Sequence, residues 1–108
     1  MNKLDTQQQL FVIMMEECGE LIQQCSKCLR QPSDNHGSQE YRLEDNKKKL
    51  LEEVGDVYAM IELMVKNKVV SWAGIYNRAY EKKEKLKQWS DLIQWYLMIG
   101  FGSYGILY

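Results

Sequence analysis

Apolar residues recur at spacings of three and four along three successive segments of this 108-residue chain. Such spacing places them on one side of an α-helix, whereas a strand requires alternation, and no segment alternates over a useful length. The first segment carries Leu10, Met14, Leu21, Cys25 and Cys28, the second Leu43, Leu50, Val54, Val57, Ile61 and Met64, and the third Trp72, Ile75, Tyr76, Ala79 and Leu86. The pattern therefore predicts an all-α fold, an antiparallel bundle of three long helices.

Capping and turn residues predict the helix ends. Thr6 with Gln9 three residues later fits a capping box, which indicates a first helix from Thr6 to about Arg30. Residues 31–41 hold the only proline among several turn formers and are predicted to be a loop. The second helix is expected to begin between Tyr41 and Asp45 and to end near Lys66.

Beyond the second helix, Ser71 is a candidate cap for a third helix that runs to about Trp89, and Ser90–Asp91 for a short fourth helix. Residues 90–108 form a tail that is uncharged from Leu92 onward. The tail is at the lower length limit of a membrane span and contains three glycines, so we expect it to make subunit or helix contacts and not to cross a membrane.

Length and charge bound the function. The chain is predicted to be one domain, residues 1–108. A net charge of −1 without a basic block disfavours nucleic-acid binding. The polar N-terminus favours a cytoplasmic protein. The three cysteines are expected to be reduced, and the Cys25–Cys28 pair to be buried and not to bind zinc.

An acidic pattern occurs twice, once in each of the first two helices. Glu16-Glu17-Cys18-Gly19-Glu20-Leu21 in the first helix aligns with Glu52-Glu53-Val54-Gly55-Asp56-Val57 in the second. At about 100° per residue, Glu17 and Glu53 lie at the margin of the apolar stripe, with Glu20 and Asp56 beside them. Antiparallel packing would bring these four carboxylates together.

Four carboxylates near a core repel one another and lose solvation, so a cation is expected between them. Oxygen ligands suit Mg²⁺, or alternatively Mn²⁺, and a di-iron site is disfavoured because the only histidine, His36, lies in the loop. Glycine recurs at Gly19 and Gly55, where we expect a close backbone approach. The alternative is that each acid pair is merely a solvated helix edge.

Glu16-Glu17-x-x-Glu20 followed by Glu53-x-x-Asp56 resembles the signature of the MazG-like all-α nucleoside triphosphate pyrophosphatases, over roughly residues 10–89. The resemblance implies a Mg²⁺-dependent enzyme that hydrolyses a nucleoside triphosphate to monophosphate and pyrophosphate through attack of a metal-activated water at the α-phosphorus. It also implies a homodimer or homotetramer in which a four-helix bundle is completed. By position, the metal ligands would be Glu17, Glu20, Glu53 and Asp56, with Glu16 and Glu52 orienting or deprotonating the water.

The resemblance further implies that basic residues of the third helix meet the phosphate tail. Lys82 is the first choice for steadying the pyrophosphate, with Asn77, Arg78 and Lys85 as further candidates. For the base, Phe11 and the glutamines Gln7 and Gln8 are expected one to two turns before the acids and offer stacking and hydrogen bonds, although core and cap roles are the alternative. The loop between the acidic motifs is longer than is usual in the family, and the tail has no counterpart in it.

Two competing functions remain open. One is a non-catalytic helical interaction module with a structural divalent cation, in which the aromatic tail contacts a partner. The other is the related hydrolysis of phosphoribosyl-ATP, which fits the doubled acidic motif less well.

Overall fold

The computed structural model describes residues 3–30 and 39–89, and for residues 39–43 the backbone only. These ranges contain three helices, α1 (Thr6–Arg30), α2 (Gln39–Lys66) and α3 (Trp72–Leu86), and no strand. The all-α prediction is thus confirmed for this part of the chain. The sequence predicts a loop up to residue 41, whereas α2 already begins at Gln39. The proposed fourth helix and the tail lie outside the described residues.

The chain divides between Val69 and Val70 into two compact units. The first contains α1 and α2, and the second contains α3. Within the described ranges, none of the helices combines the length and the hydropathy that a membrane crossing requires.

The N-terminus of α1 is closed by a capping box one residue earlier than predicted. The backbone N–H of Gln8 donates to Asp5 Oδ1 at 2.7 Å, and the backbone N–H of Asp5 donates to Gln8 Oε1 at 2.9 Å. Thr6 is therefore the first helical residue and not the cap. Asp5–Gln8 and Thr6–Gln9 both have the required spacing, and the carboxylate is the stronger acceptor.

The turn after α2 is set by Lys68, the only described non-glycine residue with a positive φ, 62°. The N–H of Lys68 donates to Val65 O and that of Val69 to Met64 O, both at 2.9 Å, which is the pattern of a Schellman motif. Three residues later Ser71 caps α3, because its Oγ accepts the N–H of Gly74 at 3.0 Å. The predicted Ser71 cap is confirmed.

Helices α1 and α2 pack antiparallel along a narrow seam. The side chain of Gln24 on α1 contacts Asn46 on α2. Glu17 and Glu20, earlier on α1, lie next to Glu53 and Asp56, later on α2. Residue numbers along α2 therefore decrease in the direction in which those along α1 increase. Where the structure describes side chains, the buried apolar residues are Leu10, Met60 and Met64. This seam fixes which residues of the two helices face each other.

The seam is narrower than the apolar stripes predicted from sequence. Cys25 and Val54, both assigned to the core, are exposed, and all three cysteines are free thiols. On the helix wheel, Cys25 lies about 80° from Glu17 and Val54 about 100° from Glu53. Because two helices in contact cover only one strip of each other, residues that far from the seam keep much of their exposure.

Candidate metal centre

The two acidic motifs lie on one face of the α1–α2 pair, and the exposed residues Cys25 and Val54 lie on the opposite face. Glu20 and Asp56 are each displaced from the seam by about 60° in one rotational sense, and Cys25 and Val54 by about 80–100° in the other. In two antiparallel helices that face each other, the same sense of rotation leads to the same side of the pair. The two acidic motifs therefore border a common surface.

The four predicted ligands meet at the seam. One carboxylate oxygen from each of Glu17, Glu20, Glu53 and Asp56 lies within 4.8 Å of the other three. Glu17 and Glu53 are half-buried, while Glu20 and Asp56 are exposed. The group is thus closed beneath by the inner pair and open to solvent through the outer pair.

The two inner carboxylates are incompletely satisfied. Glu17 Oε2 and Glu53 Oε2 are both removed from solvent and have no hydrogen-bond partner among the described residues. A buried acceptor without a donor is costly, and a buried carboxylate oxygen more so. That two such oxygens, one from each helix, occur at the same point of the seam indicates a group to which electropositive partners are missing.

The surroundings of the cluster favour the protonated form of its two inner carboxyl groups. Burial raises the pKa of Glu17 above its ordinary value of 4.5, with the neighbouring charges of Glu20 and Asp56 acting in the same direction. The pKa of Glu53 is raised first by burial and then by its hydrogen bond with Glu20. Each of these causes disfavours the ionised form, so the metal-free cluster stores repulsion that a bound cation would relieve.

Lys49, which the sequence reasoning did not single out, opposes this trend. Its charge lowers the pKa of Glu53 but does not outweigh burial and the neighbouring acids. The signal was available, because Lys49 precedes Glu53 by four residues and so lies next to it on α2.

The donor set fits a small, hard divalent cation. Opposite ligands of a single Mg²⁺ ion are about 4.2 Å apart, since each oxygen lies at 2.0–2.1 Å from the ion. The 4.8 Å that bounds the four oxygens exceeds this by an amount that side-chain rotation can close. Oxygen-only ligands, two of them without partners, are the chemistry that Mg²⁺ and Mn²⁺ prefer.

The remaining acidic candidates flank the cluster. Glu16 and Glu52 are exposed and lie about 100° from the seam, on the side of Glu20 and Asp56. They border the acidic surface without entering the group of four. Both side chains are accessible to solvent beside the cluster.

The two candidates for base recognition lie elsewhere on α1. Phe11 is exposed and about 120° from Glu17 on the apolar side, and Gln8 is about 180° away. The Gln8 side chain already accepts the Asp5 N–H in the capping box. Neither side chain therefore shares the acidic face within one α1–α2 pair.

The basic candidates are all on α3, in the second unit. Arg78 forms an ion pair with Glu81 at 3.2 Å. Within the described part of the chain, neither Lys82 nor Lys85 forms an ion pair, and both are exposed, as is Asn77. The side-chain ammonium groups of Lys82 and Lys85 are thus available to an anionic ligand.

The expected close approach at the paired glycines is wrong for the described part of the chain. A Cβ added at Gly19 or at Gly55 would meet no atom within 4 Å. Both glycines lie about 160° from the seam, too far around the helix for the α1–α2 contact to reach them.

Comparison of the chain with known protein families, with curated proteins and with solved structures yields no match in any of the three. The resemblance to the MazG-like pyrophosphatases therefore rests on the acidic motifs of the sequence alone.

Proposed function

We propose that this chain is a Mg²⁺-dependent nucleoside triphosphate pyrophosphohydrolase, which converts a nucleoside or deoxynucleoside triphosphate and water to the monophosphate and pyrophosphate. The observation that carries this proposal is the convergence of four carboxylates from two helices within 4.8 Å, with a buried, unpartnered oxygen on each of Glu17 and Glu53. Mn²⁺ is the expected substitute ion.

The charge of the site selects the class of substrate. Carboxylates alone repel a triphosphate, so an anionic substrate binds only together with a cation. Mg²⁺ is commonly held by a few carboxylates plus substrate phosphates, which is the combination that an open acidic face offers. A bound ion would neutralise charge on the phosphoryl oxygens and lower the pKa of a coordinated water.

Within this proposal the chain's own residues have separate tasks. Glu17 and Glu53, the half-buried pair, and Glu20 and Asp56, the exposed pair, would hold the ion. Glu16 or Glu52 accepts a proton from the attacking water. The water oxygen then bonds to the α-phosphorus as the bond to the α–β bridging oxygen breaks, and pyrophosphate leaves with that oxygen.

Lys82 and Lys85 are proposed to bind the departing pyrophosphate. Their support is chemical: both are exposed and free of ion pairs within the described residues, whereas Arg78 is held by Glu81. Asn77 is a further donor on the same helix. Phosphate groups require several cationic or N–H donors, and α3 carries them in excess.

A homodimer or homotetramer, and with it a completed bundle of four helices, is the proposed assembly. The face of the α1–α2 pair opposite the acids carries large exposed apolar side chains at spacings of three, four and seven: Phe11, Met15, Ile22 and Leu29 on α1, and Leu51, Val54 and Tyr58 on α2. We call these seven residues the apolar face. Contiguous apolar surface of this kind is typical of a protein interface.

The test is a panel of purine and pyrimidine nucleoside triphosphates incubated with the purified protein and Mg²⁺. We expect monophosphate and pyrophosphate in equal amounts, no release of inorganic phosphate, and no reaction with excess chelator. If the protein binds Mg²⁺ but leaves every nucleotide intact, the non-catalytic module with a structural cation is the better hypothesis. Including phosphoribosyl-ATP in the panel separates the remaining alternative.

A further inference from the structure

Among the residues whose side chains the structure describes, Gln24 is the most buried, with 3 % of its surface exposed. It is polar, yet it lies in the seam between α1 and α2. Its Nε2 donates to the backbone carbonyl of Asn46 at 2.9 Å and to Asn46 Oδ1 at 3.3 Å. A single side chain of α1 is thus tied to both acceptors of one residue of α2.

This bridge lies on the same line as the acidic cluster. Gln24 follows Glu17 by seven residues, and Asn46 precedes Glu53 by seven. Because the helices are antiparallel, both pairs occupy the seam, two helical turns or about 10 Å apart. Any sliding of one helix along the other therefore moves the bridge and the cluster together.

Besides this bridge, the thiol of Cys28 on α1 donates to the same Asn46 carbonyl, at 3.7 Å, and a thiol is the weaker donor. The buried apolar residues in the described part of the chain are one leucine and two methionines, and methionine adapts readily to altered surroundings. The four carboxylates repel one another when no cation is bound, so they oppose the very alignment that brings them together. The Gln24 bridge is directional and is satisfied only when Gln24 faces Asn46, which is the alignment that the cluster needs.

We propose that Gln24 and Asn46 act as a positioning pair, which holds the register of α1 on α2 so that Glu17, Glu20, Glu53 and Asp56 remain together before the cation arrives. This inference rests on the proposed metal site. Neither residue is expected to touch the ion or the substrate, since the bridge lies two turns from the cluster.

The test compares divalent-cation affinity with metal-free stability in Gln24→Met, which keeps the length and helix propensity of the side chain but removes its N–H donors. Mn²⁺ affinity is measured by titration of chelator-treated protein, and stability by urea unfolding without metal. We expect Mn²⁺ affinity to fall by about 10-fold, in the range found for groups that orient metal ligands, without a matching loss of metal-free stability. Gln23→Met, at an exposed neighbouring position, is the matched control and should bind like the wild type.

Asn46→Ala supplies a second, milder variant. It removes only the 3.3 Å contact and leaves the carbonyl acceptor at 2.9 Å, so its loss of affinity should be smaller than that of Gln24→Met. It also decides the matter if Gln24→Met does not fold. Wild-type affinity in a folded Gln24→Met, or in Asn46→Ala when Gln24→Met is unfolded, would overturn the positioning role while leaving the proposed function intact. A wild-type protein that binds no Mn²⁺ would overturn the metal site and this inference with it.

Discussion

Two polar clusters share the seam between α1 and α2, and they differ in whether their hydrogen-bonding groups are satisfied. At Gln24 and Asn46, the buried amide N–H groups have acceptors supplied by the partner helix. At Glu17 and Glu53, two turns away, buried oxygens have no donor. The first cluster is accounted for by its own hydrogen bonds. The second has buried oxygens without donors and carboxyl groups with raised pKa values, and on this difference the proposed cation site rests.

The largest effect should come from removing a carboxylate of the unsatisfied cluster. Glu53→Gln is expected to reduce Mg²⁺-dependent pyrophosphate release by more than about 100-fold, beyond what is usual for groups that only orient a ligand. The same change should raise the thermal stability of the metal-free protein, because it removes a charge that burial and Glu20 disfavour. Glu62→Gln, an exposed acid on the same helix, is the control. Wild-type turnover by Glu53→Gln would exclude Glu53 from the metal site.

The next largest effect is expected at the apolar face, which lies on the side of the helix pair opposite the acidic surface. Ile22 is 69 % exposed, so Ile22→Glu should leave the fold of one chain intact. Burying the new charge at an interface is costly, so we expect the particle mass to fall toward that of one chain. Light scattering after size-exclusion chromatography measures it, with Gln23→Glu as the control. A wild-type protein that is strictly monomeric at high concentration would contradict the proposed assembly.

A smaller effect is expected in the pH dependence of stability, to which the acidic cluster contributes and the Gln24–Asn46 bridge does not. Glu17 and Glu53 have pKa values above 4.5 in the folded chain, so the folded state binds their protons more tightly than the unfolded state does. Their contribution to stability is therefore complete below pH 4.5 and is lost as the pH rises through their folded pKa values. We expect the metal-free melting temperature to fall over that range relative to a Glu17→Gln/Glu53→Gln double variant.

Saturating Mg²⁺ at neutral pH should restore the stability of the wild type and leave the double variant unchanged. The opposite slope, with the wild type gaining stability relative to the double variant as pH rises, would mean that the carboxylates are already well partnered. Gln24→Met should not alter the sign of this slope, because the amide does not titrate.

The smallest effect lies outside the seam. Gly55→Ala should stabilise the protein by about 1 kcal/mol, because alanine is the better helix former and a Cβ at this position meets open space. Urea unfolding measures the change, and Gly19→Ala is the corresponding variant on α1. A loss of stability, or a change in oligomer size, would show that another surface approaches Gly55 closely.

The spacing of apolar residues was sufficient to predict the helices, because spacings of three and four mark one buried side of an α-helix. It also placed the two acidic motifs on a common face, since two copies of one motif at the same angular position lie on the same side of an antiparallel pair, but it did not give the register that brings them to the same height. The width of the seam was not predictable: Cys25 and Val54 have core spacing, but spacing does not reveal how many neighbouring helices cover them.

Gln24 was missed for a different reason. A polar residue adds nothing to an apolar pattern, so the pattern did not include Gln24, although its place seven residues after Glu17 puts it in the seam. A buried amide is acceptable only opposite suitable acceptors, and those come from Asn46, which is distant in sequence. The cap of α1 was mispredicted for a local reason, because Asp5–Gln8 and Thr6–Gln9 both have capping-box spacing and the Asp5 carboxylate is the stronger acceptor.

The most direct test of the metal centre is paramagnetic broadening by Mn²⁺ in NMR spectra of the isotope-labelled, chelator-treated protein. Substoichiometric Mn²⁺ should broaden the amide signals of two separate stretches, around Glu17–Glu20 and around Glu53–Asp56, and excess Mg²⁺ should restore them. The Glu17→Gln/Glu53→Gln double variant should show no such pattern. Broadening that is diffuse, or that centres on other acids such as Glu44 or Glu81, would contradict the proposal that these four carboxylates share a cation.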